Sequence, residues 1–230
     1  MAFSGTLGAK RGERRLLLLS DIGAGLMTKK RLSPWICAAD DAPLRIRLAS
    51  ASPRRLELMR QMGLDPVAGG VDCDETPLPG ETAPAYVLRL ALEKARLGAQ
   101  AGDADYCLGS DTSVVLAGEI LGKPADADAA LVMLTALAGR QHQVMTAVAW
   151  VRVADGAERS AVVTTDVWMR AATPAQLSAY IDSGEPMDKA GAYGIQGLGG
   201  YLVTRIEGSY TGVVGLPVAE TLEMLSELMP

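Results

Sequence analysis

Four polar stretches of the sequence have the residue types and the placement to form one binding or catalytic site. Residues 50–55 read Ser-Ala-Ser-Pro-Arg-Arg, Lys94 interrupts an apolar helical stripe, Asp111 and Lys123 flank a predicted hairpin, and residues 188–196 form a glycine-rich run. Each stretch is predicted at a strand end, on a helix face or in a glycine loop. Side chains from such places can converge on a cleft, so the four are candidates for a single site.

The cationic members of these stretches indicate a polyphosphate ligand. They are Arg54, Arg55, Lys94, Lys123 and Lys189. Guanidinium and ammonium groups bind phosphate oxygens through charge-assisted hydrogen bonds, and backbone N–H groups at the start of a helix bind anions as well. The two serines of residues 50–55 would add hydroxyl groups to such a site.

Phosphoryl or nucleotidyl chemistry also needs carboxylates that hold a divalent cation or activate water. Asp111 and Glu75 are the first candidates, with Asp74 and Asp188 behind them. Mg²⁺ keeps several waters and takes only one or two carboxylates together with substrate oxygens. A short acidic set is therefore sufficient for this chemistry.

A structural alternative stays open for each position taken alone. Residues 50–55 could be the capped start of a surface helix with solvated arginines, and Asp111 could be a turn residue. Lys123 could be a solvated turn lysine, and Lys94 could extend from the rim of its apolar face. The sequence has no Walker A lysine motif and no Rossmann glycine fingerprint followed by a suitable acid.

Composition argues against several other classes of protein. The 230 residues include one histidine, His142, which disfavours a histidine-based metal site or a Ser-His-Asp triad. His142 itself is predicted to be an exposed residue at the start of a strand. The three cysteines are widely spaced, which argues against a disulfide framework or a zinc cluster and fits a reducing cytoplasm. No apolar run approaches the ~20 residues of a membrane span.

Charge is distributed unevenly along the chain. The first 31 residues carry seven Lys or Arg and two Asp or Glu, a net charge of +5, whereas the remaining residues carry 15 and 25, a net charge of −10. An acidic body disfavours general binding to nucleic acid. We expect residues 1–43 to be an N-terminal extension, either disordered or the product of a mis-assigned start codon, and residues 44–230 to form the folded domain.

The candidate residues are placed by the predicted elements around them. Ser52 is a good helix N-cap and Pro53 suits the first helical position, after a strand at residues 44–49. Gly63 ends this helix, and a long helix over residues 83–101 carries Lys94.

The rest of the body alternates strands and helices. Residues 106–108 are predicted as a short strand that leads into Gly-Ser-Asp-Thr at residues 109–112, and residues 113–121 as a hairpin with its turn at residues 117–118. Next comes a helix capped by Asp126 or Asp128 that ends at residue 138, followed by strands at residues 142–152 and 161–170. A capping box at residues 173–176 then begins a helix that runs to residue 184. The last elements are a strand at residues 201–206 and a helix from residue 217 to residue 228.

These motifs together resemble the Maf family of nucleoside triphosphate pyrophosphatases. The resemblance covers residues 44–228 and rests on Leu-Ala-Ser-Ala-Ser-Pro-Arg-Arg at residues 48–55, Glu-Lys-Ala at 93–95, Gly-Ser-Asp-Thr at 109–112, Gly-Lys-Pro at 122–124, Asp-Lys-Ala-Gly-Ala-Tyr-Gly-Ile-Gln-Gly at 188–197 and Val-Gly-Leu-Pro at 214–217. The motifs follow one another in the family's order, and residues 1–43 have no counterpart in it.

The resemblance implies an α/β fold of the Maf/ITPase-like kind, with a central mixed sheet, helices and two lobes around an active-site cleft. It implies hydrolysis of a nucleoside triphosphate to the monophosphate and pyrophosphate with a divalent metal cation, Mg²⁺ or Mn²⁺, by a homodimer. A cytoplasmic location is expected from the cysteine pattern. The glycine-rich stretch is similar to that of the dTTP/UTP branch. The alternatives are hydrolysis of 7-methyl-GTP or another modified nucleotide, and a nucleotide-binding regulator of cell division and septum formation.

The resemblance also implies roles for individual residues. Asp111 matches the proton acceptor, and Arg54, Thr112 and Gln196 match positions tied to base specificity. The other matching active-site positions are Ser50, Arg55, Glu75, Lys94 and Lys123, among which Glu75 would help to position the metal with Asp111. In the triphosphate site we expect Arg55 to contact phosphate and Arg54 to influence the choice of base, with Lys189 as a further substrate-binding residue.

Overall fold

The computed structural model describes residues 31–33, 35–37 and 44–230. Within the predicted N-terminal extension, two short strands, β1 (Arg31–Ser33) and β2 (Ile36–Cys37), pair antiparallel. The rest of residues 1–43 lies outside the described residues. The boundary between extension and domain therefore stays a prediction.

A seven-stranded mixed sheet forms the centre of the domain, as expected. Its strands are β3 (Ile46–Leu48), β4 (Val67–Ala68), β5 (Tyr106–Leu116), β6 (Glu119–Leu121), β7 (Gln141–Arg152), β8 (Glu158–Met169) and β9 (Val203–Glu207). The order is β4-β3-β5-β7-β8-β9, with β6 paired to β5. Strands β4, β3 and β5 run parallel, and the remaining pairs are antiparallel.

Helices surround the sheet. They are α1 (Pro53–Gln61), α2 (Ala83–Ala99), α3 (Ala127–Leu137), α4 (Pro174–Asp182), α5 (Tyr210–Val214) and α6 (Val218–Leu228). The predicted caps are confirmed: the Ser52 side chain accepts from the backbone of Arg55, and Thr173 with Gln176 forms a capping box at the start of α4. None of the helices in the described part of the chain is long and apolar enough to cross a membrane.

Two apolar clusters lie on either side of the cleft described below. The first joins β3, α1 and α6 and includes Leu48, Met59 and Leu225. The second joins α3, α4 and the region after α4 and includes Leu134 and Leu177. The long strands β5 and β7 contribute to both clusters, so the sheet connects the two lobes.

Helix α2 lies unusually close to β5 because Gly109 has no side chain. A Cβ atom at Gly109 would overlap the carbonyl oxygen of Ala91 and lie 2.5 Å from the backbone nitrogen of Ala95. The predicted end of the strand at residue 108 is wrong, since β5 runs unbroken from Tyr106 to Leu116. The predicted hairpin turn at residues 117–118 is confirmed, and both residues adopt positive φ there.

Candidate active site

The cleft between the two lobes has a volume of about 810 Å³ and draws its walls from distant parts of the chain. The ten residues with an assigned role in the site line it: Ser50, Arg54, Arg55, Glu75, Lys94, Asp111, Thr112, Lys123, Lys189 and Gln196. Of the two further candidate carboxylates, Asp188 lines the cleft and Asp74 does not. The convergence of the ten residues is thus a property of the fold. What each residue does in catalysis stays a prediction.

Lys94 lies at the floor of the cleft between two carboxylates. Its Nζ is 2.8 Å from Asp111 Oδ1 and 2.6 Å from Glu75 Oε1. Lys94 and Asp111 are each 8% exposed, whereas Glu75 faces solvent from the loop before α2. The close approach of α2 to β5 at Gly109 brings Lys94 within reach of Asp111, which is why a lysine occupies an otherwise apolar face.

Burial and mutual attraction together shift the pKa values of Asp111, Lys94 and Glu75. Desolvation raises the pKa of Asp111, although the charges of Lys94 and Arg55 oppose that rise. Desolvation alone would lower the pKa of Lys94, but attraction to Asp111 and Glu75 is stronger, so the net pKa is raised and the ammonium persists. For Glu75 the hydrogen bond and charge of Lys94 outweigh desolvation and lower its pKa. The site thus shifts the pKa values of the two carboxylates in opposite directions, up for Asp111 and down for Glu75.

The guanidinium of Arg55 joins three segments of the wall. Nε donates to the carbonyl oxygen of Gly215 at 2.9 Å, Nη1 to Ser50 Oγ at 3.2 Å and Nη2 to Thr112 Oγ1 at 3.1 Å. The Thr112 hydroxyl also bonds to that of Thr146 at 3.0 Å. Residues 50–55, 109–112 and 214–217, which are separate motifs in the sequence, are thus one hydrogen-bonded unit.

Arg54 points to the opposite lobe. Its Nη1 is 3.1 Å from Asp188 Oδ2, and Asp188 Oδ1 is 2.6 Å from Lys189 Nζ. Lys189 Nζ also donates to the backbone carbonyl of Glu185. The ammonium of Lys189 is therefore held by neighbouring oxygens, and the Arg54–Asp188 ion pair bridges the two lobes.

Two further predicted residues remain available at the mouth of the cleft. Lys123 follows β6, is exposed, and makes no ion pair within the described part of the chain. Gln196 is also exposed and lies in the glycine-rich segment. Both can meet a ligand without first breaking an internal contact to a charged partner.

The sequence-based interpretation of His142 is wrong. His142 is 3% exposed, and its Nε2 lies 2.7 Å from the hydroxyl of Tyr193, which lines the cleft. His142 is the second residue of β7, and both its hydrogen-bond partner Tyr193 and its cross-strand neighbour Val167 belong to the second apolar cluster.

Two side chains at the cleft were not singled out by the sequence. The hydroxyl of Tyr86 donates to the backbone carbonyl of Glu75 at 2.9 Å and so fixes the loop that carries this carboxylate. Glu185 accepts hydrogen bonds from the backbone of Leu198 and Gly199. Its one local signal is its place directly before the glycine-rich run, which does not reveal these distant partners.

The donor set at the floor of the cleft is compatible with a divalent cation. The described residues contain no cluster of three or more His, Cys, Asp or Glu side chains that could hold a metal by themselves. Glu75 and Asp111 do meet at Lys94, and Mg²⁺ needs only one or two carboxylates when substrate oxygens complete its shell. The residues present therefore fit a metal that binds together with a phosphate ligand.

Comparison with known proteins gives consistent results. The model of the family described as Maf-like protein matches residues 45–228. A dTTP/UTP pyrophosphatase of Anaeromyxobacter dehalogenans strain 2CP-1 is 51% identical over 183 residues, which cover 79% of this chain and 92% of the relative. The dTTP/UTP pyrophosphatase of Escherichia coli O157:H7 is 52% identical over 183 residues, covering 78% and 90%. That of Myxococcus xanthus strain DK1622 is 51% identical over 178 residues, covering 77% and 89%.

Proposed function

We propose, from the premise that this chain belongs to the Maf-like protein family, that it hydrolyses dTTP and UTP to the nucleoside monophosphate and pyrophosphate. The relatives described above carry that activity in their names. The observation that carries the proposal is the buried Lys94–Asp111 pair at the floor of a cleft lined by arginine and lysine. Such a cleft suits a polyanion whose hydrolysis needs a base.

The triphosphate would bind along the wall formed by residues 50–55. Arg55 is held rigidly by its three hydrogen bonds, and Lys123 is exposed at the same cleft. A fixed guanidinium stabilises charge at a defined place without reorganising during the reaction. Arg55 and Lys123 would therefore offset the charge that develops on the departing pyrophosphate.

Asp111 would accept the proton of the attacking water. The water oxygen forms a bond to the α-phosphorus, the bond from that phosphorus to the bridging oxygen breaks, and pyrophosphate leaves with the electron pair. Burial raises the pKa of Asp111, which makes its carboxylate a better base than a solvated one. Lys94 would hold the acceptor oxygen in place through its 2.8 Å contact.

A divalent cation, Mg²⁺ or Mn²⁺, would be held by Glu75 and Asp111 together with phosphate oxygens. When bound, it would neutralise part of the triphosphate charge. Lys94 contacts both carboxylates, so it would keep them close to each other.

Base choice would rest on Gln196 and Arg54. A glutamine amide has one donor group and one acceptor, which suits the O4 and N3–H edge of uracil or thymine. Arg54 contacts the glycine-rich segment through Asp188, and it lines the same cleft as Gln196. The hydroxyl of Thr112 already bonds to Arg55 and Thr146, so its influence on base choice would act through Arg55.

The decisive experiment is a panel of nucleoside triphosphates assayed for pyrophosphate release with Mg²⁺ and with Mn²⁺. We expect dTTP and UTP to give the highest kcat/KM. Preference for 7-methyl-GTP would instead support the first alternative activity. Asp111→Asn should abolish hydrolysis, whereas Asp182→Asn, at the exposed end of α4, is the matched control and should not.

A role in cell division is the second alternative and is separable from catalysis. If Asp111→Asn abolishes hydrolysis yet leaves a division phenotype intact, the protein acts there as a nucleotide-binding regulator. Arg54→Ala and Gln196→Glu are expected to change substrate preference more than folding. An equal loss across all nucleotides would contradict their assignment to base choice.

Three broader expectations belong to the same proposal. Residues 44–230 would form the catalytic domain, in line with the family match to residues 45–228. The protein would work as a cytoplasmic homodimer. Cys73 and Cys107 are free thiols, which is compatible with a reducing compartment. Light scattering coupled to size exclusion would measure the oligomeric state.

A further inference from the structure

The segment that carries Gln196 is bonded at both ends to one pair of side chains. We call residues 193–198 the Gln196 loop. Before Gln196, the backbone N–H of Gly194 donates to Tyr180 Oη at 3.2 Å. After it, the backbone N–H of Leu198 donates to Glu185 Oε2 at 2.8 Å, and that of Gly199 donates to Glu185 Oε1 at 3.0 Å. The Tyr180 hydroxyl itself donates to Glu185 Oε1 at 2.9 Å.

The glycines of this region let its backbone lie directly on the pair. A Cβ atom at Gly197 would overlap the carboxylate of Glu185, and one at Gly199 would overlap the hydroxyl of Tyr180. Any side chain at these two positions would push the backbone off its acceptors. The loop is therefore shaped to the Tyr180–Glu185 pair as well as hydrogen-bonded to it.

An ionised carboxylate is what this arrangement requires. Glu185 accepts three hydrogen bonds, one each from Tyr180, Leu198 and Gly199. Desolvation alone would raise the pKa of Glu185, but the hydrogen bonds from the loop backbone outweigh it and lower the pKa. A glutamine has one acceptor oxygen, and its NH₂ group would face an N–H donor.

We propose that Tyr180 and Glu185 are positioning residues that fix Gln196 against the nucleobase and so set discrimination between bases. This rests on the proposed function, in which Gln196 reads the pyrimidine edge. Cytosine presents the reverse donor and acceptor order to that of uracil, and a rotatable amide can match either. Discrimination between uracil and cytosine then depends on holding the backbone of the Gln196 loop in place. The Tyr180–Glu185 pair holds it through its hydrogen bonds.

The reacting groups lie outside this network. Lys94 bonds to Asp111 and to Glu75, and neither Lys94 nor Asp111 bonds to Tyr180 or Glu185 in the described structure. Loosening the Gln196 loop should therefore raise KM for dTTP and UTP and leave kcat largely unchanged. Preference over CTP and dCTP should fall roughly tenfold, which is the effect of losing one hydrogen bond to a charged group.

The test compares kcat and KM for UTP and CTP in five proteins: wild type, Glu185→Gln, Tyr180→Phe, Gln196→Ala and the double variant Glu185→Gln/Gln196→Ala. Glu207→Gln, which alters an exposed ion pair with Arg205 on β9, is the matched control. If Glu185 acts through Gln196, Glu185→Gln should lower the UTP/CTP preference in the wild-type background and change it little once Gln196 is alanine. Thermal melting reports folding, and Tyr180→Phe decides the matter if Glu185→Gln does not fold.

Each outcome has a distinct meaning. An equal loss for UTP and CTP, or effects that multiply in the double variant, would overturn the positioning role. If Gln196→Ala removes the preference but neither Glu185→Gln nor Tyr180→Phe does, this inference fails and the proposed function stands. If Gln196→Ala leaves the preference unchanged, the proposed mode of base reading fails first.

Discussion

Acid should destabilise this protein through its single histidine. His142 is 3% exposed, and its Nδ1 has no hydrogen-bond partner among the described residues. Burial lowers the pKa of His142 to about 4, against an ordinary value of 6.5. A protonated imidazole would carry a charge into the second apolar cluster with no carboxylate bonded to it.

The sign and size of the effect follow from proton linkage. Above pH 6.5 the imidazole is neutral in both states and contributes no penalty. As pH falls from 6.5 towards 4, the unfolded chain binds the proton first, so the free energy of unfolding decreases. The loss is about 2 kcal/mol at pH 5 and approaches about 3 kcal/mol below pH 4.

Urea unfolding at pH 7.5, 6 and 5 measures this loss. His142→Phe keeps a ring of similar size and cannot titrate, so it serves as the reference. It also leaves the Tyr193 hydroxyl without its partner, but that cost is independent of pH over this range and cancels in the comparison. We expect wild type to lose about 2 kcal/mol more than His142→Phe between pH 7.5 and pH 5. Parallel pH dependences in the two proteins would refute the reasoning.

Three other perturbations test the site and the fold. Lys94→Met should move the acidic limb of the pH–kcat/KM profile to higher pH, since the Lys94 charge opposes the rise in the pKa of Asp111; an unmoved limb would contradict Asp111 as the base. Gly109→Ala should lower the free energy of unfolding by about 2–4 kcal/mol in urea titrations, because its Cβ meets the backbone of α2. Gly122→Ala, which has open space and an ordinary φ, should have little effect on that free energy. Thr173→Ala should lower the free energy of unfolding by about 1 kcal/mol because the capping box is lost, and urea titration measures this change.

Local sequence signals were sufficient to predict the features that depend only on residues close together in the chain. The N-cap at Ser52 and the capping box at Thr173 bond to backbone groups three residues away, so their partners are visible in the sequence. The turn at residues 117–118 is equally local. The sequence was also enough to select ten of the residues that line the cleft.

Contacts between residues far apart in the chain determined the features that the sequence did not predict. Residues 109–112, which the sequence placed between a short strand and a hairpin, became part of β5 because β7 pairs with them. His142 was misplaced because only tertiary packing determines which face of β7 is covered. Glu185 was missed because its three donors belong to Tyr180, five residues before it, and to a loop 13–14 residues after it.

Lys94 shows most clearly how the two kinds of information combine. Its position on an apolar helix face marks it as unusual in the sequence, and several explanations fit that pattern equally well. The choice among them is made by Gly109, whose missing side chain lets α2 approach β5 until Lys94 reaches Asp111. Residue types thus determined which groups could take part in the chemistry, whereas the packing of one helix on one strand determined that a lysine and a carboxylate share a buried site.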